Sequence, residues 1–237
     1  MKKLLFALLM FAAFIAPSCA NEEKETPALV VAKVDLAGRT LDEVFATIIP
    51  DKIACCNWAA EFPNFPYSEF RAFHTGDKFY VRFDVKEDVT FARVAVDNGD
   101  VWTDSSCELY LSLDGTSYYT IEMNCIGYML DGYYSAPGAT SIRAGEEILS
   151  QVERITTLGT EAFGIHEGDL EWSLTMVLPT SVFHQHDIKS WDGLKITGNI
   201  YKNGNRPENP HFISWQPVPL PKPCYHCPQY FKTIVFE

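Results

Sequence analysis

The 237-residue sequence predicts an all-β fold, an antiparallel two-sheet β-sandwich with long loops and at most one short helix. Three observations predict it. Segments of about 6–10 residues alternate apolar and polar side chains with a period of two. Turn-forming Asp-Gly and Asn-Gly pairs separate those segments. The 3.6-residue apolar spacing of a surface helix is scarce along the chain.

From residue 29 onward, strand signals follow one another. "DKFYVRFDVKED" places Phe79, Val81, Phe83 and Val85 on one face and Tyr80, Arg82 and Asp84 on the other, the pattern of a half-buried strand. "SSCELYLSL" and "YYTIEMNCI" alternate in the same way and are joined at Asp114-Gly115. Cys107, Leu109, Leu111 and Leu113 share the first strand's core face; Tyr119, Ile121, Met123 and Cys125 share the second's. "AGEEILSQVERI" reads as one short helix or a strand pair. "DLEWSLTMVL" turns Leu170, Trp172, Leu174 and Met176 inward, "LKITGNIYKN" does so with Ile196 and Ile200, and "FKTIVFE" closes the fold as a last strand. Further turns are expected at Asp97-Asn98-Gly99, Asp192-Gly193 and Asn203-Gly204-Asn205. The stretch "NRPENPHFISWQPVPLPKPCYHCP" holds seven prolines and reads as a long, stiff loop of the kind that carries function. Trp58, Trp172 and Trp191 are expected in the core, and Trp215 at its border.

The N-terminus has a different character. Lys2 and Lys3 precede an apolar run from Leu4 to Ile15, too short for a membrane-spanning helix, which takes about 20 residues. It reads as a secretory signal over residues 1–18, cut within "APSC". That stretch resembles a bacterial lipobox, which implies lipid on Cys19 and membrane attachment through that lipid alone. "ANEEKETPA" completes a flexible tether over 19–28, leaving 29–237 as one domain. The expected location is the outer membrane, on its periplasmic face or at the cell surface. Loss of Lys2 and Lys3 takes the formal net charge from −12 to −14, which repels phosphate and argues against nucleic-acid binding. Six cysteines follow Cys19, an even count that permits disulfides and leaves their pairing open.

Opposite the core face, the central hairpin presents Glu108, Tyr110, Glu122 and Asn124, and "NIYKN" presents Asn199, Tyr201 and Asn203. In one sheet these would make a flat, polar outer surface, with Tyr80 and Arg82 on a further strand. A pyranose needs such groups: carboxylates and amides for its hydroxyls, and aromatic rings for its apolar C–H faces. Solvation alone also makes an outer face polar, so alternation does not decide.

The order of "NWAAEFP", "DNGDVWTDSSCELYLS", "YYTIEMNCIG", "GNIYKNGN", "PHFISWQPV" and "PCYHCPQYFKTIVFE" resembles the family 9-like carbohydrate-binding domains of exported bacterial proteins over about residues 50–237. These are relatives of the family 9 module of xylanases, with a DOMON-like sandwich. The resemblance implies non-catalytic capture of a sugar end or oligosaccharide between two rings. Trp102 matches the first ring, in "W-x-x-D-S-x-E", and Glu108 is its hydroxyl acceptor. Tyr225 falls at the second ring. Asn124 matches an asparagine of the module, but Glu122 stands where the module has arginine, and Tyr201 where it has glutamine; Asn203 keeps an amide nearby. The ligand-binding set is therefore Trp102, Glu108, Glu122, Asn124, Tyr201, Asn203 and Tyr225, in the service of glycan uptake. The alternative is a structural or protein-interaction lipoprotein with a degenerate sugar site.

Other chemistries are weaker. Glu108 and Glu122 form a carboxylate pair of glycosidase type, but an open sheet face offers no pocket to raise one pKa. Cys224, His226 and Cys227 in "CYHCP", and His184 and His186 in "HQH", lack the partners that a zinc site needs; a structural disulfide that staples the loop, or a link to another loop cysteine such as Cys55 or Cys56, is the better reading of "CYHCP". No cofactor is expected. Asp97, Asp100 and Asp104 offer oxygens of the type a structural calcium takes, without a spacing that demands it.

Overall fold

The computed structural model describes residues 28–206 and 209–237, so the signal peptide and Cys19 and nearly all of the tether lie outside the described residues. Strands in chain order are β1 (Leu29–Val31), β2 (Asp51–Lys52), β3 (Tyr67–His74), β4 (Lys78–Ala92), β5 (Ser106–Ser112), β6 (Tyr118–Asn124), β7 (Met129–Tyr134), β8 (Ile142–Arg143), β9 (Glu153–Thr156), β10 (Phe163–Pro179), β11 (Lys195–Gly204), β12 (His211–Ser214) and β13 (Lys232–Phe236). Two short helices, α1 (Leu41–Phe45) and α2 (Glu146–Leu149), complete them. One sheet runs β1-β13-β11-β5-β6-β7-β8, with β12 also on β11; the other runs β2-β3-β4-β10-β9. Pairing is antiparallel except between β1 and β13.

The alternation seen in the sequence is what packs the sheets. Phe79, Val81, Phe83 and Val85 of β4 and Trp172, Leu174 and Met176 of β10 meet Cys107, Leu109, Leu111, Tyr119, Ile121, Met123, Ile196 and Ile200 of the large sheet in one core. Asp114 makes the β5–β6 turn: its Oδ1 accepts from the amides of Thr116 and Ser117, and Gly115 takes φ +78°. Residues 146–156 resolve the earlier ambiguity as helix then strand, α2 followed by β9. Helix α1 carries a capping box in which Thr40 and Glu43 bond reciprocally, a T-x-x-E signal present in "TLDE".

Four expectations change. Asn203 and Gly204 lie inside β11, so no turn begins there. Gly204 is needed for closeness instead: a Cβ there would meet the His211 ring at 2.4 Å. The proline-rich stretch contains β12, because "HFIS" pairs with the second half of β11 while β13 pairs with the first. Tyr80 and Arg82 belong to the other sheet, where Tyr80 stacks on Phe73 and Arg82 pairs with Asp42 and Asp84. Cys55, Cys56, Cys107, Cys125, Cys224 and Cys227 are free thiols, with Cys227 Sγ donating to the Cys224 carbonyl at 3.2 Å rather than forming the expected staple.

A buried polar group crosses the core. Lys202 of β11 pairs with Glu87 of β4 at 2.9 Å, both side chains fully enclosed. Its ammonium also donates to the Asn203 carbonyl (3.0 Å) and to Nε2 of His211 (2.7 Å). Trp172 donates its indole N–H to Glu87 at 2.8 Å. Burial, then the Lys202 charge, holds the His211 pKa well below its ordinary value, so the ring is neutral. Its Nδ1–H donates to the Asn209 carbonyl, which leaves Nε2 free to accept from Lys202. Removing one partner strands a charge. Lys202→Met is expected to lower unfolding free energy in urea by about 3–5 kcal/mol, and adding Glu87→Leu should recover most of that loss.

Candidate functional site

The polar faces of β5, β6 and β11 converge on the outer side of the large sheet. Glu108 stands directly opposite Glu122 on one neighbour and Tyr201 on the other. This face is not the open, wetted plane the alternation suggests, for every residue of β5 and β6 is buried. The cause is the chain between β12 and β13. Both strands pair with the same β11, so residues 215–231 must leave and return along one edge, and they fold over the sheet in between. Asn199 ties the start of this loop, accepting from the Gln216 amide (3.0 Å) and donating to its carbonyl (3.1 Å). Trp58 donates its indole N–H to the Leu220 carbonyl at 2.7 Å. Beneath the loop, Trp58, Tyr110, Tyr118, Tyr201, Val218, Tyr225 and Phe231 form a second apolar cluster.

Between the loop and the sheet, with Tyr225 and His226 of the loop in its wall, a cavity of about 310 Å³ remains. Trp102, Glu108, Glu122, Asn203 and Tyr225 all line it. Trp102 sits half-buried in a single 3-10 turn between β4 and β5, and its carbonyl accepts from Asn203 Nδ2 at 2.8 Å. That bond fixes the amide's orientation, since only the nitrogen can face a carbonyl; Asn203 Oδ1 is left buried and without a partner. Glu122 accepts from the Tyr110 hydroxyl at 3.1 Å through one oxygen, and its other oxygen is likewise unpartnered. Tyr225 is not a free clamp ring. It is 7% exposed and lies stacked on Tyr201 (3.9 Å, planes 16° apart), with Tyr110 and Phe212 edge-on.

The geometry places two expected residues elsewhere. Tyr201 is fully buried beneath Tyr225 and supports that ring without lining the cavity. Asn124 is spent on the fold: its Nδ2 donates to the Val94 carbonyl (2.8 Å) and Asp104 (3.0 Å), and its Oδ1 accepts from the Tyr128 amide (3.0 Å). The alternation was right for both, but it cannot tell a group that faces a ligand from one that faces another loop.

Tyr110, Tyr134, Arg143, Phe212 and His226 also line the cavity. Tyr110 and His226 carried a signal, by alternation and by adjacency to Tyr225. Arg143, on the two-residue β8, carried none. It brings a guanidinium to the cavity from another strand than the one on which the resemblance implies an arginine and Glu122 stands.

Burial governs the electrostatics. It raises the Glu108 carboxyl well above its ordinary value, and the neighbouring Glu122 charge raises it further. Burial lifts Glu122 to about 7 against the opposing effects of the Tyr110 hydroxyl and Arg143. The expectation that no pocket exists to raise a carboxyl pKa is therefore corrected. His226, packed against Tyr110, Tyr118 and Tyr134, is lowered by burial and by Arg143. Two of the three residues considered for calcium, Asp97 and Asp104, are engaged in the fold. Asp97 pairs with Arg154 at 2.6 Å, and Asp104 Oδ2 accepts from the amides of Arg93 and Val94. Among the described residues, no group of three or more His, Cys, Asp or Glu side chains is placed to hold a metal.

Comparison with known proteins gives this geometry a family: residues 40–236 match the model of carbohydrate-binding family 9. The chain belongs to that family. A candidate carbohydrate-binding protein from Bacteroides uniformis superposes with a TM-score of 0.82 at 36% identity, over 88% of this chain and 98% of that one. A family 9 module from Caldicellulosiruptor kristjanssonii has the same fold at 12% identity and a TM-score of 0.56, both in complex with glucose (88% of this chain, 95% of that one) and with cellotriose (88% and 93%). No curated protein matches the chain. Family 9 members bind without catalysis, and the carboxylates of this one agree. Glu108 and Glu122 are cross-strand neighbours projecting from a single wall, whereas glycosidases flank the scissile bond with their two acids.

The raised carboxyl pKa values have a consequence for stability. Relative to the unfolded chain, the fold holds an extra proton between the ordinary Glu value of 4.5 and about 7 at Glu122. Stability is therefore fully present at the acid end of that window and falls as pH rises through it. Urea unfolding across this range should show the decline, and Glu122→Gln should make it shallower, the remainder coming from Glu108, whose carboxyl is also raised.

Proposed function

We propose that the cavity holds a sugar end or a short oligosaccharide. One observation carries this reading: a half-exposed indole, Trp102, shares a cavity with two enclosed acceptors that the protein leaves unfilled, Glu122 Oε2 and Asn203 Oδ1. A ring stacked on Trp102 would hide its C–H face while its hydroxyls donate to those oxygens, relieving a cost of about 1–3 kcal/mol for each unmade bond. The cavity volume suits a sugar unit, being at the lower end of ligand pockets. The glucose and cellotriose complexes of the Caldicellulosiruptor kristjanssonii module support the class of ligand. The second reading, a structural or interaction protein with a degenerate site, draws on the embedding of Tyr225, which offers a ligand little of its ring.

We further propose that the protein is exported, lipidated at Cys19, and held at the outer membrane, where capture of a glycan would serve uptake. The support is the sequence of residues 1–28.

Isothermal titration of the purified protein against neutral gluco-oligosaccharides tests the first reading. Trp102→Ala should weaken binding about 10-fold or more, equivalent to about 1.4 kcal/mol or more, with little change in melting temperature. Unchanged affinity removes the stacking role, and no binding to any glycan favours the degenerate site. Incorporation of labelled palmitate into the expressed protein, abolished by Cys19→Ser, tests the anchor.

A further inference from the structure

The polar inventory of the cavity is lopsided. The hydrogen-bond donors closest to its carboxylates are already used inside the protein. The Tyr110 hydroxyl donates to Glu122, Asn203 Nδ2 to the Trp102 carbonyl, and the Tyr225 hydroxyl to the Ile213 carbonyl at 3.4 Å. What remains unfilled among the enclosed side chains is acceptor only: Glu122 Oε2 and Asn203 Oδ1, on residues each 4% exposed. Donors still free, on Trp102, Tyr134, Arg143 and Asn205 and at the one His226 nitrogen that does not meet Tyr118, belong to half-buried or exposed residues. Glu108 and Glu122 face each other across adjacent strands, and no Lys, Arg or His side chain among the described residues lies within ion-pair distance of either. This contrasts with the other buried glutamates, Glu87, which has Lys202 at 2.9 Å, and Glu69, which has Arg71 at 2.8 Å.

We infer that this cavity selects a sugar bearing a free amine, a hexosamine unit, over the corresponding neutral sugar. The inference rests on the sugar-binding reading above and adds the chemistry of the ligand to it. A neutral hydroxyl can donate one proton to Glu122 Oε2. An ammonium donates three and carries the charge that two enclosed carboxylates lack. Arg143 lies at the same cavity and competes for that role, but it is exposed, so its field is screened by water while an ammonium at the floor is not. An N-acetylated amine has lost the charge and gained bulk, and gains nothing from the carboxylates.

The test compares three trimers on the purified protein by isothermal titration at about pH 7, where Glu122 is about half ionised and a hexosamine amine still carries much of its charge: cellotriose, the β1,4-linked glucosamine trimer and its N-acetyl counterpart. The glucosamine trimer should bind about 10-fold or more tightly than cellotriose, and the N-acetyl trimer no better than cellotriose. Glu122→Gln should compress the amine-to-neutral ratio to about 3-fold or less, and Arg143→Ala should widen it, since it removes the competing cation. Equal or weaker binding of the glucosamine trimer, with cellotriose still bound, overturns the amine selectivity and leaves the sugar-binding reading standing. An Arg143→Ala ratio that narrows also overturns it. If none of the three trimers binds, this inference and the sugar-binding reading fall together for this class of glycan.

Discussion

The candidate site depends on a sheet that is buried on both faces. An antiparallel sheet in a sandwich usually gives one face to the core and the other to water. Here residues 215–231 cover the second face, and β5 and β6 have no exposed position. Side chains suited to solvent are thereby placed in a low-dielectric space. Asn199 recovers its bonds from the covering loop itself, and Asn124 recovers them from residues 94, 104 and 128. Glu122 and Asn203 recover only half of theirs. The incomplete pair marks where the loop stops and a ligand would begin.

The floor of the cavity is rigid because the strand beneath it is pinned from the other side. Asn203 and Lys202 are neighbours on β11 and so point to opposite faces. Lys202 crosses the core to Glu87, and Glu87 is in turn held by Trp172, so β11 is tied to β4 and β10 at the point where Asn203 leaves it. The same ammonium accepts no compromise in position: its donors go to the Asn203 carbonyl and to His211 of β12, the strand from which the covering loop departs. Polar groups in the core thus set the geometry of the polar groups outside it, as a preorganised site requires.

Much of this fold is legible in the sequence, because the alternation of β4, β5, β6, β10 and β11 is a direct imprint of the pleat on residue choice. Core assignments follow from it, and Trp172 is where the pattern puts it. The fate of the opposite face is not legible by the same logic. Whether Glu122 meets water, a loop or a ligand depends on residues about 100 positions later in the chain, and nothing local encodes that encounter. Tyr201 and Asn124 have the same outward parity as Glu108 and Glu122, yet one is covered by Tyr225 and the other by the turn after β6. Arg143 was out of reach for a different reason: a two-residue strand has no period to read. His211–Ser214 was hidden by the prolines around it, which suggested loop although they flank a short strand.

The position of charge is the feature that separates this chain from the pattern it resembles. Where that pattern has a cation rising from the sheet, β6 carries Glu122, and the cation at the cavity comes instead from the exposed β8. The exchange is not neutral. A guanidinium on the floor would be a fixed donor that fills the acceptor beside it, Glu108. A carboxylate there adds a second acceptor to the first: its charge raises the proton affinity of Glu108, which accepts from the Ser106 hydroxyl, and its own Oε2 is left without a partner. Arg143, screened by water at the rim, is too weakly coupled to restore the lost pairing, as the upward shift of Glu122 in its presence attests. The cavity therefore demands protons or donors from outside, and its selectivity follows from which molecule can supply them without giving up the stacking surface of Trp102.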